Sequence, residues 1–178
     1  MDTSAHRRLA EALRTLHQGP ILLLPNAWDA MSAAVLEQAG FLALATTSAG
    51  VAWSLGYGDG EKIPWHELVI ATERVVRAVR VPVTADIEGG FSSTPSDLIH
   101  RTEEVIGAGV CGVNIEDGLG HGAPLRALED AAARVAAVRS AATRMGIPIV
   151  INARTDVYLN AGNNDASLFD ETVARCRA

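Results

Sequence analysis

Asp86 and Glu88 close the apolar run Val81-Pro-Val-Thr-Ala-Asp-Ile-Glu, and one repeat later Cys111-Gly-Val-Asn-Ile-Glu-Asp ends in Glu116 and Asp117. Acidic side chains at the carboxyl ends of successive strands offer the oxygen ligands that a hard cation such as Mg²⁺, or Mn²⁺, prefers. Side chains two apart on a strand share a face, so Asp86 and Glu88 converge if the strand runs on to Glu88, and Glu116 can join them from the neighbouring strand. Carboxylates this close raise one another's pKa, and a divalent cation is the simplest means of keeping all of them ionised. Each acid alone reads equally well as a solvated loop residue or a helix cap; the set points to metal binding. Asp117 is expected to face away from Glu116 and to cap or solvate its loop.

Other candidates surround this set. Arg154 ends Val150-Ile-Asn-Ala-Arg-Thr-Asp, and its guanidinium suits bidentate capture of a substrate carboxylate or phosphonate, or else a structural salt bridge to Glu116 or Asp156. Thr46-Thr-Ser-Ala-Gly offers small residues whose backbone N–H groups could approach an anion, with a plain turn as the alternative. Asp59, in Gly56-Tyr-Gly-Asp-Gly, could reach a metal-bound water or be an ordinary turn aspartate. Trp28 could wall the substrate or pack between loop and helix, while Asp29 is placed to cap the helix that follows. The glycine-rich connection Gly118-Leu-Gly-His-Gly-Ala could close over a site, bringing His121 as an acid or base; a lone loop histidine is more often simply solvated.

These residues need a scaffold, and the chain spells one out. Apolar runs near 21–25, 42–46, 81–86, 111–115 and 148–152 alternate with helical patterns near 30–39, 65–80, 95–108, 126–145 and 166–177, after an amphipathic helix within residues 1–18. This is βαβα repetition and specifies a parallel α/β sheet. The strands read as continuous apolar runs, as when both faces are covered. Thr94-Pro95-Ser96-Asp97 is a helix start, and Gly40, Gly109 and Gly146 fall at helix ends. Residues 47–63 read as one long loop. Because Pro25-Asn-Ala-Trp-Asp stands where a dinucleotide fingerprint would be, a (β/α)₈ TIM barrel fits better than a doubly wound sheet. Such barrels typically need roughly 250 residues, so residues 1–178 would form one incomplete barrel domain of about five β/α units.

Composition sets outer bounds. With 48% hydrophobic residues, 20% charged residues and a mean hydropathy of +0.16, the chain reads as a globular domain. No apolar stretch approaches the ~20 residues of a membrane span, so neither membrane insertion nor a secretory leader is expected, and a cytoplasmic setting follows. Cys111 and Cys176 show no metal or redox spacing and are expected to be reduced. A net charge of −6 with 15 scattered Lys and Arg argues against a nucleic-acid partner. An anionic substrate would need local positive charge or metal.

Leu24-Pro-Asn-Ala-Trp-Asp-Ala-Met-Ser-Ala, Thr46-Thr-Ser-Ala-Gly, Gly56-Tyr-Gly-Asp, Thr84-Ala-Asp-Ile-Glu-Gly-Gly-Phe, Val113-Asn-Ile-Glu-Asp and Ile151-Asn-Ala-Arg-Thr-Asp together resemble the isocitrate lyase and phosphoenolpyruvate mutase superfamily, in consistent order from about residue 19 to 160. The resemblance implies a (β/α)₈ barrel in which Mg²⁺ stabilises an enolpyruvate-like oxyanion while a C–C or P–C bond of a small α-oxo or 2-hydroxy acid is made or broken. It implies Asp86 as direct metal ligand, with Asp59, Glu88 and Glu116 holding metal-bound waters and Asp59 and Glu116 thereby part of the catalytic set. It further implies Thr47, Ser48 and Ala49 as the oxyanion and carboxylate cradle, and Arg154 as a substrate anchor. The loop after the fourth strand lacks the cysteine of the isocitrate and methylisocitrate lyases. Residues 118–128 also lack the lysine and asparagine of the mutases, which leaves the branch containing oxaloacetate decarboxylases and phosphonopyruvate hydrolases. The family also implies a homodimer or homotetramer for the full-length form. The competing reading is a noncatalytic truncated barrel that serves as an assembly partner, since unpaired strand edges invite association. A metal-dependent barrel lyase or aldolase of another kind would predict histidines at strand ends, and none stand there.

Overall fold

The structure, a computed structural model, describes residues 2–120, 123–162 and 165–178. Five parallel strands, β1 (Asn26–Ala27), β2 (Leu44–Thr46), β3 (Val83–Asp86), β4 (Gly112–Glu116) and β5 (Val150–Arg154), lie side by side in chain order. Helix α1 (Thr3–Leu16) precedes them. The connections hold α2 (Ala30–Gln38), α3 (Ser48–Ser54), α4 (Trp65–Ala78), α5 (Pro95–Gly107) and α6 (Leu128–Met145), and α7 (Val157–Ala161) and α8 (Leu168–Arg177) follow β5.

Strand order settles the architecture. A doubly wound sheet reverses direction at a switch point, whereas right-handed crossovers that never reverse place successive helices on one face and curl the sheet toward a barrel. The order β1-β2-β3-β4-β5 is of the second kind, and α2 packs on α4, α4 on α5 and α5 on α6. The molecule is therefore a partial (β/α)₈ barrel whose sheet is not closed.

Alternation along the strands separates core from site. Val83, Ala85, Val113 and Ile115 are buried on the outer face, in one core with Leu68, Val75, Val105, Ile106 and Val138 of the helices. Thr84 and Asp86, Asn114, and Asn152 and Arg154 line a 390 Å³ concavity on the inner face. At the opposite end α1 packs against β5, with Ala10 and Leu13 fully buried and the His6 Nε2 atom 2.7 Å from the Val110 carbonyl oxygen.

The structure revises several expectations. Continuous apolar runs, expected from burial of both faces, give way to alternation in β3 and β4, where Thr84, Asp86 and Asn114 turn to the inner face beside the cavity. Strand pairing lies further along than the apolar runs, since ladder bonding continues into the polar strand ends while apolarity tracks the helix-covered stretch. The run 21–25 was expected to be strand, yet Ile21 is 98% and Leu23 69% exposed, because β1 is an edge and pairs only with β2. The long loop contains α3, nucleated by Thr47, whose hydroxyl accepts from the Gly50 amide at 3.2 Å. The final helical pattern, 166–177, is α8, and the short α7 before it was not expected. Asp29 and Ser32 form the expected capping box on α2, and Thr94 caps α5. Among the described residues no helix is long and apolar enough to cross a membrane.

Candidate functional site

The carboxyl ends of the strands open into a cavity of about 290 Å³ lined by Thr47, Ser48, Ala49, Asp59, Asp86, Glu88, Glu116 and Arg154, together with Asn26, Asp156 and Asn160. A larger 520 Å³ cleft lies between α6, α8 and β5; Ala131, Ala132, Val135 and Ile151 give it an apolar wall, Arg134, Arg139 and Arg175 also line it, and it shares Glu116 and Arg154 with the smaller cavity. The smaller cavity is the one that brings Asp59, Asp86 and Glu88 together with Glu116 and Arg154.

Asp86 is the most constrained of them. As the last residue of β3, its Oδ2 accepts from the Ser48 hydroxyl at 2.8 Å and from the Ser48 amide at 3.4 Å. Its Oδ1 accepts from Asn114 Nδ2 at 3.0 Å and from the Glu88 amide at 3.2 Å. Asn152 in turn donates to Asn114 Oδ1, so an amide ladder across β5, β4 and β3 fixes the carboxylate.

Glu88 reaches the cavity by a different route from the one its spacing predicts. Strand β3 ends at Asp86, and Glu88 takes a left-handed φ of 50° that folds its side chain inward to 5% exposure. Its Oε2 accepts from the Glu61 amide at 2.8 Å, whereas Oε1 is buried without a partner among the described residues. Burial, reinforced by the charges of Asp59, Glu61 and Asp86, pushes its pKa from 4.5 to about 7, against the opposing pull of the Glu61 amide. A carboxyl whose folded pKa is raised binds more protons folded than unfolded between those values, so it favours the fold below pH 4.5 and loses that contribution as pH rises through 7. Metal-free protein is thus expected to lose up to about 3 kcal/mol of stability between those limits. Urea unfolding across pH checks this, and Glu88→Gln should flatten the profile; an unchanged profile in that variant would contradict it.

Glu116 pairs with Arg154, and its amide donates to the Glu88 carbonyl at 2.9 Å. Arg154 is also gripped by Asp156, with Nε–Oδ1 at 2.8 Å and Nη2–Oδ2 at 3.3 Å, so both salt bridges offered as the alternative to substrate binding form. They hold the guanidinium at the cavity wall rather than remove it. Asp117 turns away from Glu116, as expected, but is buried rather than solvated, accepting from Thr155 Oγ1, the Asp156 amide and Arg175 Nη1. Trp28 does not line the cavity. Its Cβ stands 3.1 Å from where a Cβ on Gly50 would lie, which is the loop-to-helix packing alternative. His121 lies outside the described residues, while Gly118 and Leu125 of the same connection pair as an antiparallel bridge and Gly120 borders the cavity.

Asn26 and Asn160 were not singled out from the sequence, and Asp156 only as a salt-bridge partner of Arg154. Asn160 sits in the five-residue α7, too short to show a helical period, and its Nδ2 donates to the Ala123 carbonyl at 3.0 Å. The ladder residues Asn114 and Asn152 did carry a signal. Each stands two residues before the charged end of its strand, as Thr84 stands before Asp86, and this period of two marks one inner face.

The cavity lining sets five carboxylates (Asp59, Asp86, Glu88, Glu116 and Asp156) against one guanidinium, Arg154. An organic anion would be repelled there unless a cation came with it. Among the described residues no three His, Cys, Asp or Glu side chains are grouped to hold a metal by themselves. The all-oxygen donor set and the orphaned, buried Glu88 Oε1 nevertheless fit a hard divalent cation that shares its shell with water.

Comparison with known proteins identifies the family. The phosphoenolpyruvate phosphomutase family model matches residues 13–178. The chain is 32% identical over 170 residues to a 2-methylisocitrate lyase of Halalkalibacterium halodurans, covering 91% of this chain and 55% of that protein. A solved structure from Burkholderia cenocepacia J2315, described provisionally as a phosphonomutase, superposes with a TM-score of 0.92 at 44% identity, over 96% of this chain and 70% of that one. Oxaloacetate acetylhydrolase in complex with its product oxalate superposes with a TM-score of 0.82 at 25% identity, over 94% of this chain and 58% of that one. The chain spans about half the length of the curated relatives it matches. An open five-strand parallel barrel with its acids at the strand ends, and this match across nearly the whole chain, place it in the phosphoenolpyruvate mutase/isocitrate lyase superfamily.

Proposed function

We propose that this chain carries the cation and substrate site of a Mg²⁺-dependent lyase that acts on a small α-oxo or 2-hydroxy carboxylic acid. The observation that carries the reading is a cavity with five carboxylates and one arginine, one carboxylate oxygen of which is buried with no partner among the described residues. In a protein that holds the ion, Asp86 would be its direct ligand, and Asp59, Glu88 and Glu116 would hold its water shell. A bound divalent cation would supply positive charge where the substrate's carbonyl oxygen gains negative charge.

The chain's own residues then have distinct tasks. Ser48 and Asn114 hold Asp86 in one rotamer, so its orientation costs no rearrangement when substrate arrives. Arg154, kept at the wall by Glu116 and Asp156, would take the substrate carboxylate in a charge-assisted bond. Thr47, Ser48 and Ala49, at the start of α3, border the same space and would cradle the oxygen end of the substrate. The superfamily relatives named above act on 2-methylisocitrate and oxaloacetate or are described as phosphonomutases, which sets the panel to try.

The test is consumption of 2-methylisocitrate, oxaloacetate and phosphonopyruvate, followed by proton and phosphorus NMR with Mg²⁺ and with EDTA. Loss of one compound that needs Mg²⁺ and stops in Arg154→Ala is the expected result. Consumption that EDTA leaves unchanged would contradict the metal-dependent reading, and consumption of none would favour the assembly-partner alternative.

A further inference from the structure

Three non-glycine residues among those described have a left-handed backbone: Glu61 (φ 57°), Glu88 (φ 50°) and Phe91 (φ 53°). They belong to one construction. The Glu61 amide donates to Glu88 Oε2 at 2.8 Å, and the Phe91 amide donates to Glu61 Oε1 at 2.7 Å. The loop between α3 and α4 and the loop after β3 thus each give a backbone N–H to a glutamate of the other, forming a reciprocal clasp. A side-chain-bearing residue persists in left-handed backbone only where its surroundings over-determine it, and such residues gather at functional sites.

The clasp holds one oxygen of Glu88 and leaves the other without a partner among the described residues. With Oε2 taken by the Glu61 amide, the carboxylate plane is set and Oε1 is left buried, unpartnered, on a residue that lines the cavity. Glu61 also lies two residues after Asp59, so the bond that anchors it to Phe91 anchors the turn that carries Asp59 to the cavity wall. Gly89 leaves this region open: Glu61 Oε1 and Arg126 Nη2 stand 3.1 and 3.2 Å from where its Cβ would be. An exposed loop glutamate ordinarily does no more than keep a turn hydrated. This one closes two bonds to another loop, and all three residues of the clasp have left-handed backbone.

We propose that Glu61 is a positioning residue that acts through Glu88, holding one of its oxygens toward the cavity and Asp59 beside it. This rests on the cation reading of the cavity given above. The test is Mn²⁺ titration of the full chain, followed by electron paramagnetic resonance, with amide exchange of the metal-free protein measured alongside. Glu61→Gln keeps an acceptor oxygen for the Phe91 amide. Glu61→Gly removes it without adding strain, because glycine accepts positive φ. Glu61→Gln is expected to bind Mn²⁺ like the wild type, and Glu61→Gly about tenfold more weakly or worse, the scale of loss when a supporting partner of a metal ligand is removed. Exchange at residues 87–91 should quicken in Glu61→Gly alone. Equal Mn²⁺ affinity in Glu61→Gly and wild type, or unchanged exchange at 87–91, would overturn this inference only. A wild-type chain that binds no Mn²⁺ would overturn it together with the cation reading.

Discussion

Asp86→Asn is expected to weaken Mg²⁺-dependent binding of oxalate, a stable mimic of an enolpyruvate anion, by roughly 100-fold or more, about 2.7 kcal/mol, while leaving the fold in place. The substitution is nearly isosteric and its one oxygen can still accept from the Ser48 hydroxyl and amide, whereas its NH2 would face the Asn114 and Glu88 donors, so a stability loss of about 1–3 kcal/mol accompanies the loss of binding. What it removes is the charge on a cavity carboxylate that is held by four hydrogen bonds. Removing a negative charge from an acidic pocket would strengthen binding of a bare anion. Weaker binding therefore marks a ligand whose affinity depends on the cation. Calorimetry checks the affinity and thermal unfolding checks the fold; binding within threefold of wild type would remove Asp86 from the metal site.

Arg134→Ala is expected to destabilise the protein by about 3 kcal/mol, the low end for breaking one side of a buried charged network. Arg134 is 1% exposed and among the largest fully buried side chains. Its Nη1 donates to the Gly89 carbonyl at 3.1 Å and to Ser92 Oγ at 3.3 Å, its Nη2 to the Ser92 carbonyl at 3.0 Å, and its Nε to Asp130 Oδ2 at 3.2 Å. Truncation would strand the Gly89 and Ser92 carbonyls and open a void beneath the loop after β3. Asp130 is 36% exposed and can turn to water, which keeps the loss from being larger. Because that loop carries Glu88 and Phe91, the same variant should loosen the cavity wall. Urea unfolding measures the effect, and a loss below 1 kcal/mol would mean that Arg134 is dispensable to the fold.

The parts legible in the sequence are those with a period or a position. Asp86, Glu116 and Arg154 stand at the ends of apolar runs in a βα repeat, so their place at one end of a parallel sheet follows from topology alone. Asp29 and Thr94 are legible as caps because a cap is a local rule. Glu88 was placed on the right cavity for an incomplete reason: spacing in twos assumes a strand that continues, whereas the chain turns left-handed there and uses a bond from a distant loop. Glu61 and Asn160 had no such rule, because their roles arise only when two loops meet. Trp28 had no such rule either: it is 47% exposed, stands outside the cavity lining, and only its Cβ lies against α3.

The most direct test of the central claim is calorimetric titration of oxalate into the wild-type chain with Mg²⁺ and with EDTA. The five carboxylates and single arginine of the cavity predict saturable binding with Mg²⁺ and none with EDTA. Binding of equal strength in both conditions, or none in either, would contradict a cation-dependent site on this chain.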